Sequence, residues 1–222
     1  VENILQKLNI DLYTYVVNWE EFKDVQLAYL KASVVDIEIP TDHAFVAVLY
    51  QAAAENNIKY ILSGHNYVTE SILPRHWIYE KGDDINIKAI HKKFGTVKLK
   101  TFPFLTTLKR LYYMNVLKLR NFYPLNYIRY NKKEVKKIIK EELDWRDYRG
   151  KHYESIFTRF YQGCILPEKF HIDKRKAHLS NLICSGQVSR EEALEEIKQP
   201  VYDPAQLRED KEFVIKKFGL TN

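Results

Sequence analysis

Between two stretches of helical periodicity the sequence sets a short apolar-rich run, Ile58 to Leu62, and closes it with Ser63-Gly64. A run of that length, flanked by helices and ended by glycine, has the pattern of a buried parallel strand. No other feature constrains the fold as much. A parallel strand needs a crossover to reach its neighbour and cover on both of its faces.

The preceding residues fit such a sheet. Val1, Ile4, Leu5 and Leu8 form a helical stripe, and Asp11 to Val17 is rich in β-branched and aromatic residues, which predicts a strand. Trp19 to Ser33 carries a second helical stripe. A third helix is expected from about Thr41 to Asn56, with Pro40 before it and Asp42 in its first turn. Helix, strand, helix, helix, strand argues for an α/β sheet with right-handed crossovers. Two strands are few for a parallel sheet, so further strands are expected before Val1. The chain starts at Val1 and its single methionine is Met114, which suits a fragment or a trimmed product.

Beyond Gly64 the character changes. Asp84 to Phe94 and Phe104 to Leu119 read as helices, with a short extended piece at Tyr123 to Arg129. Later helices announce their ends: Asn131 with Glu134, Ser189 with Glu192, Asp203 before Pro204, and Gly219 as a closing residue. The expected fold is therefore α/β, a partial parallel sheet followed by a mainly helical carboxyl-terminal region. The expected division is 1–100 and 101–222.

Composition excludes several classes. The 222 residues are 45% hydrophobic and 29% charged, a globular balance. No uncharged apolar stretch is long enough to span a membrane, and charges interrupt the first 30 residues, so neither a span nor a secretory signal is expected. Cys164 and Cys184 are too few for a disulfide scaffold and suit a reducing, cytoplasmic setting. The net charge of +6 attracts anions without choosing among nucleotides, phosphosugars and nucleic acid.

Three segments could carry chemistry. Ser63-Gly64-His65-Asn66-Tyr67-Val68-Thr69-Glu70 follows the expected strand, where α/β sheets bind ligands; it reads equally as a strand-to-helix turn capped by His65 and Asn66. Gly150 to Ser155 and Lys169 to His178 bring Lys151, Lys169, Lys174, Arg175 and Lys176 together with three histidines. Fixed cations of this kind suit a polyphosphate, and the same pattern describes an ordinary basic helix. Cys164, His171, His178 and Cys184 match no familiar zinc spacing, so no metal site is assigned. Asp83 and Asp84 could hold magnesium but more simply cap a helix.

Pro40-Thr41-Asp42-His43, Ile61 to Asn66, Lys98 to Pro103 and the run from Gly150 to Leu194 together resemble the N-acetyl sugar amidotransferases of surface polysaccharide (lipopolysaccharide, O-antigen) biosynthesis. The resemblance extends over essentially the whole chain, and the last run is the specific part. It implies a branch of the PP-loop ATP pyrophosphatases in which a parallel sheet binds ATP, with Mg2+ as the accompanying ion. It also implies conversion of an acetamido to an acetamidino group through an adenylated intermediate. The substrate is then an acetamido sugar or nucleotide sugar. Ammonia comes from a glutaminase and a channel subunit, and a homo-oligomer is compatible. The family's Ser-Gly-Gly-x-Asp-Ser phosphate loop is absent from these residues.

On that likeness Lys151, Lys174 and Arg175 meet the charge on departing pyrophosphate. His152 and Glu154 orient ammonia or accept its proton. Ser63, Gly64, His65 and Asn66 lie beside the nucleotide, and Asp42, His43 and Trp77 are candidates for sugar contact. Two other readings stand beside this one. A tRNA-modifying ATP pyrophosphatase would need a wider basic surface and a thiol relay. A non-catalytic interaction module would explain the missing loop.

Overall fold

A computed structural model describes residues 2–146 and 155–220. In chain order its elements are α1 (Glu2–Lys7), α2 (Trp19–Ala32), α3 (Ile39–Glu55), β1 (Tyr60–Leu62), α4 (Tyr67–Glu70), α5 (Asp84–Phe94), α6 (Thr107–Leu111) and β2 (Arg120–Phe122). There follow α7 (Lys132–Leu143), α8 (Ile156–Phe160), α9 (Leu166–Phe170), α10 (Lys174–Cys184), α11 (Arg190–Lys198) and α12 (Pro204–Phe218). Wide π-helical turns at Tyr112–Val116 and Tyr161–Ile165 continue α6 and α8.

The chain divides into two compact units, neither continuous in sequence. One comprises Val1–Thr14, His65–Leu73 and Leu125–Asn222; the other comprises Tyr15–Gly64 and Pro74–Pro124. These cuts fall elsewhere than at residue 100.

The second unit holds the sheet. β1 and β2 pair in parallel, with Tyr60 opposite Arg120, Ile61 opposite Asn121 and Leu62 opposite Phe122. Ile61 is buried with Ala47, Tyr50 and Ala53 of α3 and with Leu105 and Leu119, whereas Tyr60 and Leu62 on the opposite face are exposed. This alternation makes one face of the pair a core surface. In the same unit α2 packs on α5, burying Val25, Ala28 and Tyr29 of α2 and Ile87 of α5.

Two acidic side chains of α2 fasten the long segment after α5. Asp24 accepts from the His91 ring at 2.7 Å and from the backbone of Thr96 and Val97 at 2.8 and 3.0 Å. Three residues earlier, one helical turn along the same face, Glu21 accepts from the backbone of Thr101 and Phe102 at 2.8 and 2.7 Å.

The first unit is helical among its described residues. Phe157 of α8 meets Phe218 of α12 with ring centroids 5.3 Å apart. Asp210 of α12 receives Arg159 of α8 at 2.8 Å, the Tyr202 hydroxyl and the Gln206 amide. The backbone of Gly163 runs so near Tyr202 that a Cβ there would stand 2.7 Å from the ring. Only a residue without a side chain fits unless that ring moves.

Most helices lie where local chemistry puts them. Asn131, Ser189 and Asp203 are side-chain caps, Ser189 forms a full capping box with Glu192, and Gly219 takes the left-handed conformation at φ 65°. α3 begins at Ile39, two residues before the expected Thr41, because proline is accepted inside a first turn. Of the expected helix from Phe104 to Leu119, the helical part runs from Thr107 to Val116, started by the Thr106 hydroxyl on the Lys109 N–H. The strand expected at Asp11 to Val17 does not form; Asp11 to Val16 are exposed and lack a partner strand. The extended piece expected at Tyr123 to Arg129 is displaced to Arg120–Phe122.

Candidate functional site

The segment leaving β1 is held at successive points. The Ser63 N–H donates to the Phe122 carbonyl at 2.9 Å, prolonging the strand ladder by one bond. Gly64 follows with open space beside it, since a Cβ there would meet nothing within 4 Å. Asn66 caps α4, its side-chain oxygen accepting from the Thr69 N–H at 2.9 Å, and is 7% exposed. Ser63 and Gly64 belong to the second unit, His65 and Asn66 to the first.

Within the first unit this segment docks on α10 through one amide. The Asn181 side-chain oxygen accepts from the Ser71 hydroxyl at 3.0 Å and the Ile72 N–H at 2.9 Å. Its nitrogen donates to the Ile72 and Ala177 carbonyls at 3.2 and 2.9 Å. Asn181 is 2% exposed, so these bonds satisfy groups that would be costly to bury unpaired. The docked segment carries a histidine–carboxylate pair: Nδ1 of His65 lies 2.5 Å from a Glu70 oxygen, with the imidazole 76% exposed and the carboxylate 29%. A carboxylate on one ring nitrogen fixes the orientation of the ring, the usual preparation for proton transfer by the other nitrogen.

α10 begins with the two cations singled out in the sequence. Asp173 caps the helix by accepting from the Arg175 N–H at 2.9 Å. The Lys174 ammonium lies 5.4 Å from the centre of the Tyr161 ring. Arg175 is engaged at several atoms: it pairs with Asp173 at 2.8 Å and donates to the Gln199 carbonyl at 2.9 Å, closing the end of α11. Burial raises the Asp173 carboxyl, and the hydrogen bonds and charge of Arg175 outweigh it, leaving the group below its ordinary value. Arg175 thus joins two helices. Lys151, His152 and Glu154 lie outside the described residues.

The three residues expected at the sugar lie in the second unit. His43, 1% exposed, donates from Nδ1 to the Lys81 carbonyl at 2.8 Å and accepts at Nε2 from the Leu105 N–H at 3.1 Å. Both ring nitrogens are occupied, as a neutral imidazole allows. Burial pushes its pKa below the ordinary value. Asp42 pairs with the Lys81 ammonium at 2.6 Å, which also reaches Asp36 at 2.9 Å. Trp77 is half-buried in a 3-10 turn, edge-on to His76 with centroids 6.2 Å apart.

Asn181, Glu21 and Asp24 are positioning residues to which the sequence reading gives no role. For Glu21 and Asp24 the spacing of three on one helical face was an available signal; for Asn181 nothing local distinguished it. Burial, then Glu168, pushes the Cys164 thiol up to about 11, so it is protonated and inert near neutrality. Among the described residues no group of three His, Cys, Asp or Glu side chains is placed to hold a metal ion.

Residues 154–222 match the family model described as LPS biosynthesis protein WbpG-like, C-terminal domain. No curated protein and no solved structure matches the chain. Among the described residues no helix is long and apolar enough to cross a membrane.

Proposed function

We propose that this protein acts in an ATP-dependent amidotransferase reaction of surface polysaccharide biosynthesis, converting a sugar acetamido group to an acetamidino group with ammonia. The match of residues 154–222 to a WbpG-like domain carries the reading. The docking of His65–Leu73 on α10 supports it, since it gathers His65, Asn66, Lys174 and Arg175 into one unit. The setting is the cytoplasm, and the ammonia comes from a separate glutaminase and channel subunit. On this reading the sheet is part of a PP-loop ATP pyrophosphatase fold, with the parallel pair of β1 and β2 as its support.

The residues fit a bound nucleotide in part. Lys174, held near the Tyr161 ring, is the cation assigned to departing pyrophosphate, and Arg175, bonded to Asp173 and to the end of α11, positions the start of α10. Magnesium would travel with the phosphates, which commonly supply much of its coordination. ATP as substrate would pass its adenylyl group to the acetamido oxygen with loss of pyrophosphate, so that ammonia attacking the amide carbon expels that oxygen as part of AMP. His65 then takes the proton that ammonia loses, and Glu70 holds its ring.

The test is pyrophosphate release by the full-length protein given ATP, ammonia and a nucleotide-linked acetamido sugar. Release that depends on the sugar, and that Lys174→Ala abolishes while the circular dichroism spectrum stays unchanged, is the expected result. Sugar binding without release would establish the non-catalytic module instead. Release that depends on tRNA would establish the RNA-modifying enzyme.

A further inference from the structure

Asp210 of α12 is 2% exposed and takes no part in the chemistry above. Three side chains of the first unit donate to it. Arg159 reaches it through two nitrogens, at 2.5 and 2.8 Å, the Tyr202 hydroxyl donates to the same carboxylate, and so does the Gln206 amide at 2.9 Å. A buried carboxylate bonded in this way fixes the geometry of its donors, because losing one leaves a charge uncompensated.

Two of those donors bear on the π-helical turn Tyr161–Ile165. Arg159 stands two residues before it, and the Tyr202 ring lies against Gly163 at its middle. The turn closes with the Leu166 N–H on the Tyr161 carbonyl, and Leu166 is fully buried. A π turn is rare, and inside a helix it is frequently at a functional site. Its first residue here is Tyr161, 0% exposed, with the Lys174 ammonium 5.4 Å over the centre of its ring. A cation within about 6 Å of an aromatic face is attracted to it, more strongly where water is excluded. One line of contacts therefore runs from a carboxylate on α12, through the turn, to the cation that begins α10.

We infer that the Asp210 cluster and the π turn position Lys174, by holding the Tyr161 ring where it keeps the ammonium in place ahead of the reaction. An ammonium already in place when charge develops on pyrophosphate needs no rearrangement at that moment, so the effect falls on kcat rather than KM. The inference rests on the assignment of Lys174 to pyrophosphate above and adds how that cation is held. A tyrosine that merely fills the core would leave Lys174 indifferent to the presence of a ring.

The experiment is NMR of the full-length protein with isotope-labelled methyl groups placed on its lysines by reductive methylation, which keeps their charge. The resonance missing from Lys174→Arg is that of Lys174. Its methyl protons should be shifted upfield by the Tyr161 ring current, with the shift kept in Tyr161→Phe and lost in Tyr161→Leu. Tyr202→Phe removes one bond to Asp210 while leaving a ring on Gly163, and should reduce the shift; it carries the test if Tyr161→Leu does not fold. In unlabelled protein Tyr161→Leu should lower kcat for pyrophosphate release at least tenfold with KM for ATP and sugar within twofold, and Tyr161→Phe should restore kcat. A wild-type Lys174 resonance without the upfield shift, a shift unchanged in Tyr202→Phe, or wild-type kcat in a folded Tyr161→Leu variant would overturn the inference. The two readings also separate: the shift without sugar-dependent release would sink the reaction and leave the hold on Lys174 standing. Release without the shift would do the reverse.

Discussion

His43 and Asp24 show how single side chains commit this protein to a pH range. Burial first of all holds the His43 imidazole below its ordinary value of 6.5, so the unfolded chain takes up the proton before the folded one. The stability it contributes is fully present above about pH 6.5 and is lost as pH falls toward the lower folded value. Urea midpoints of wild type should drop between pH 7 and 5, and His43→Gln should show a shallower drop; equal slopes would mean that His43 is not the group responsible. For Asp24 burial alone would raise the carboxyl, but the N–H groups of Val97 and Thr96, the Thr96 hydroxyl and His91 outweigh it and hold it at about 2 against 3.8. Its contribution is present above pH 3.8 and disappears as pH falls to about 2. Asp24→Asn should cost roughly 1–3 kcal/mol at pH 7, the loss of bonds to a charged acceptor, measured by urea unfolding. Gly163→Ala places a methyl against Tyr202 and should cost about 1–3 kcal/mol by overpacking, read as a lowered melting temperature.

At the scale of elements, α10 is the meeting point of the first unit. Its start is tied to α11 by Arg175 and its middle to the segment after Gly64 by Asn181. Replacing Asn181 by Ala strips the Ile72 N–H of its partner and should cost roughly 2–3 kcal/mol. It should also speed proteolytic cleavage within residues 65–73, and an unchanged cleavage rate would show that the segment is held by other contacts. The helices were legible in the sequence because their signals are local: Asn131, Ser189 with Glu192, Asp203 with Pro204, and Gly219 each act within one turn. The strands were legible only in part. Tyr60–Leu62 carries its own apolar run, but Arg120, Asn121 and Phe122 are all exposed and show no alternation. That strand is defined by pairing with a distant one. Asp11 to Val17 has strand composition without such a neighbour, and composition alone did not make a strand. The candidate site follows the same logic. His65 and Asn66 could be found because they follow a strand, whereas Asn181 and Asp24 act on residues far along the chain, which no local pattern encodes.

At the scale of the molecule, the chain passes between the two units four times, after Thr14, Gly64, Leu73 and Pro124. A fragment beginning at Leu125 therefore lacks Ser71 and Ile72, the partners of Asn181. Its α10 should exchange backbone amide protons at least tenfold faster than the same helix in the full chain, and equal protection would show that the helices stand alone. The interleaving also imposes a timetable on synthesis. All residues of the second unit have been made once Pro124 is added, but the first unit waits for chain through residue 222. At ~5–20 residues per second that is a delay of roughly 5–20 s. Until Cys184 completes α10, roughly 3–12 s after Pro124 at that rate, the nascent 65–73 stretch, histidine pair included, has yet to meet the helix that will hold it. A chaperone that shields emerging apolar chain would find its longest opportunity there.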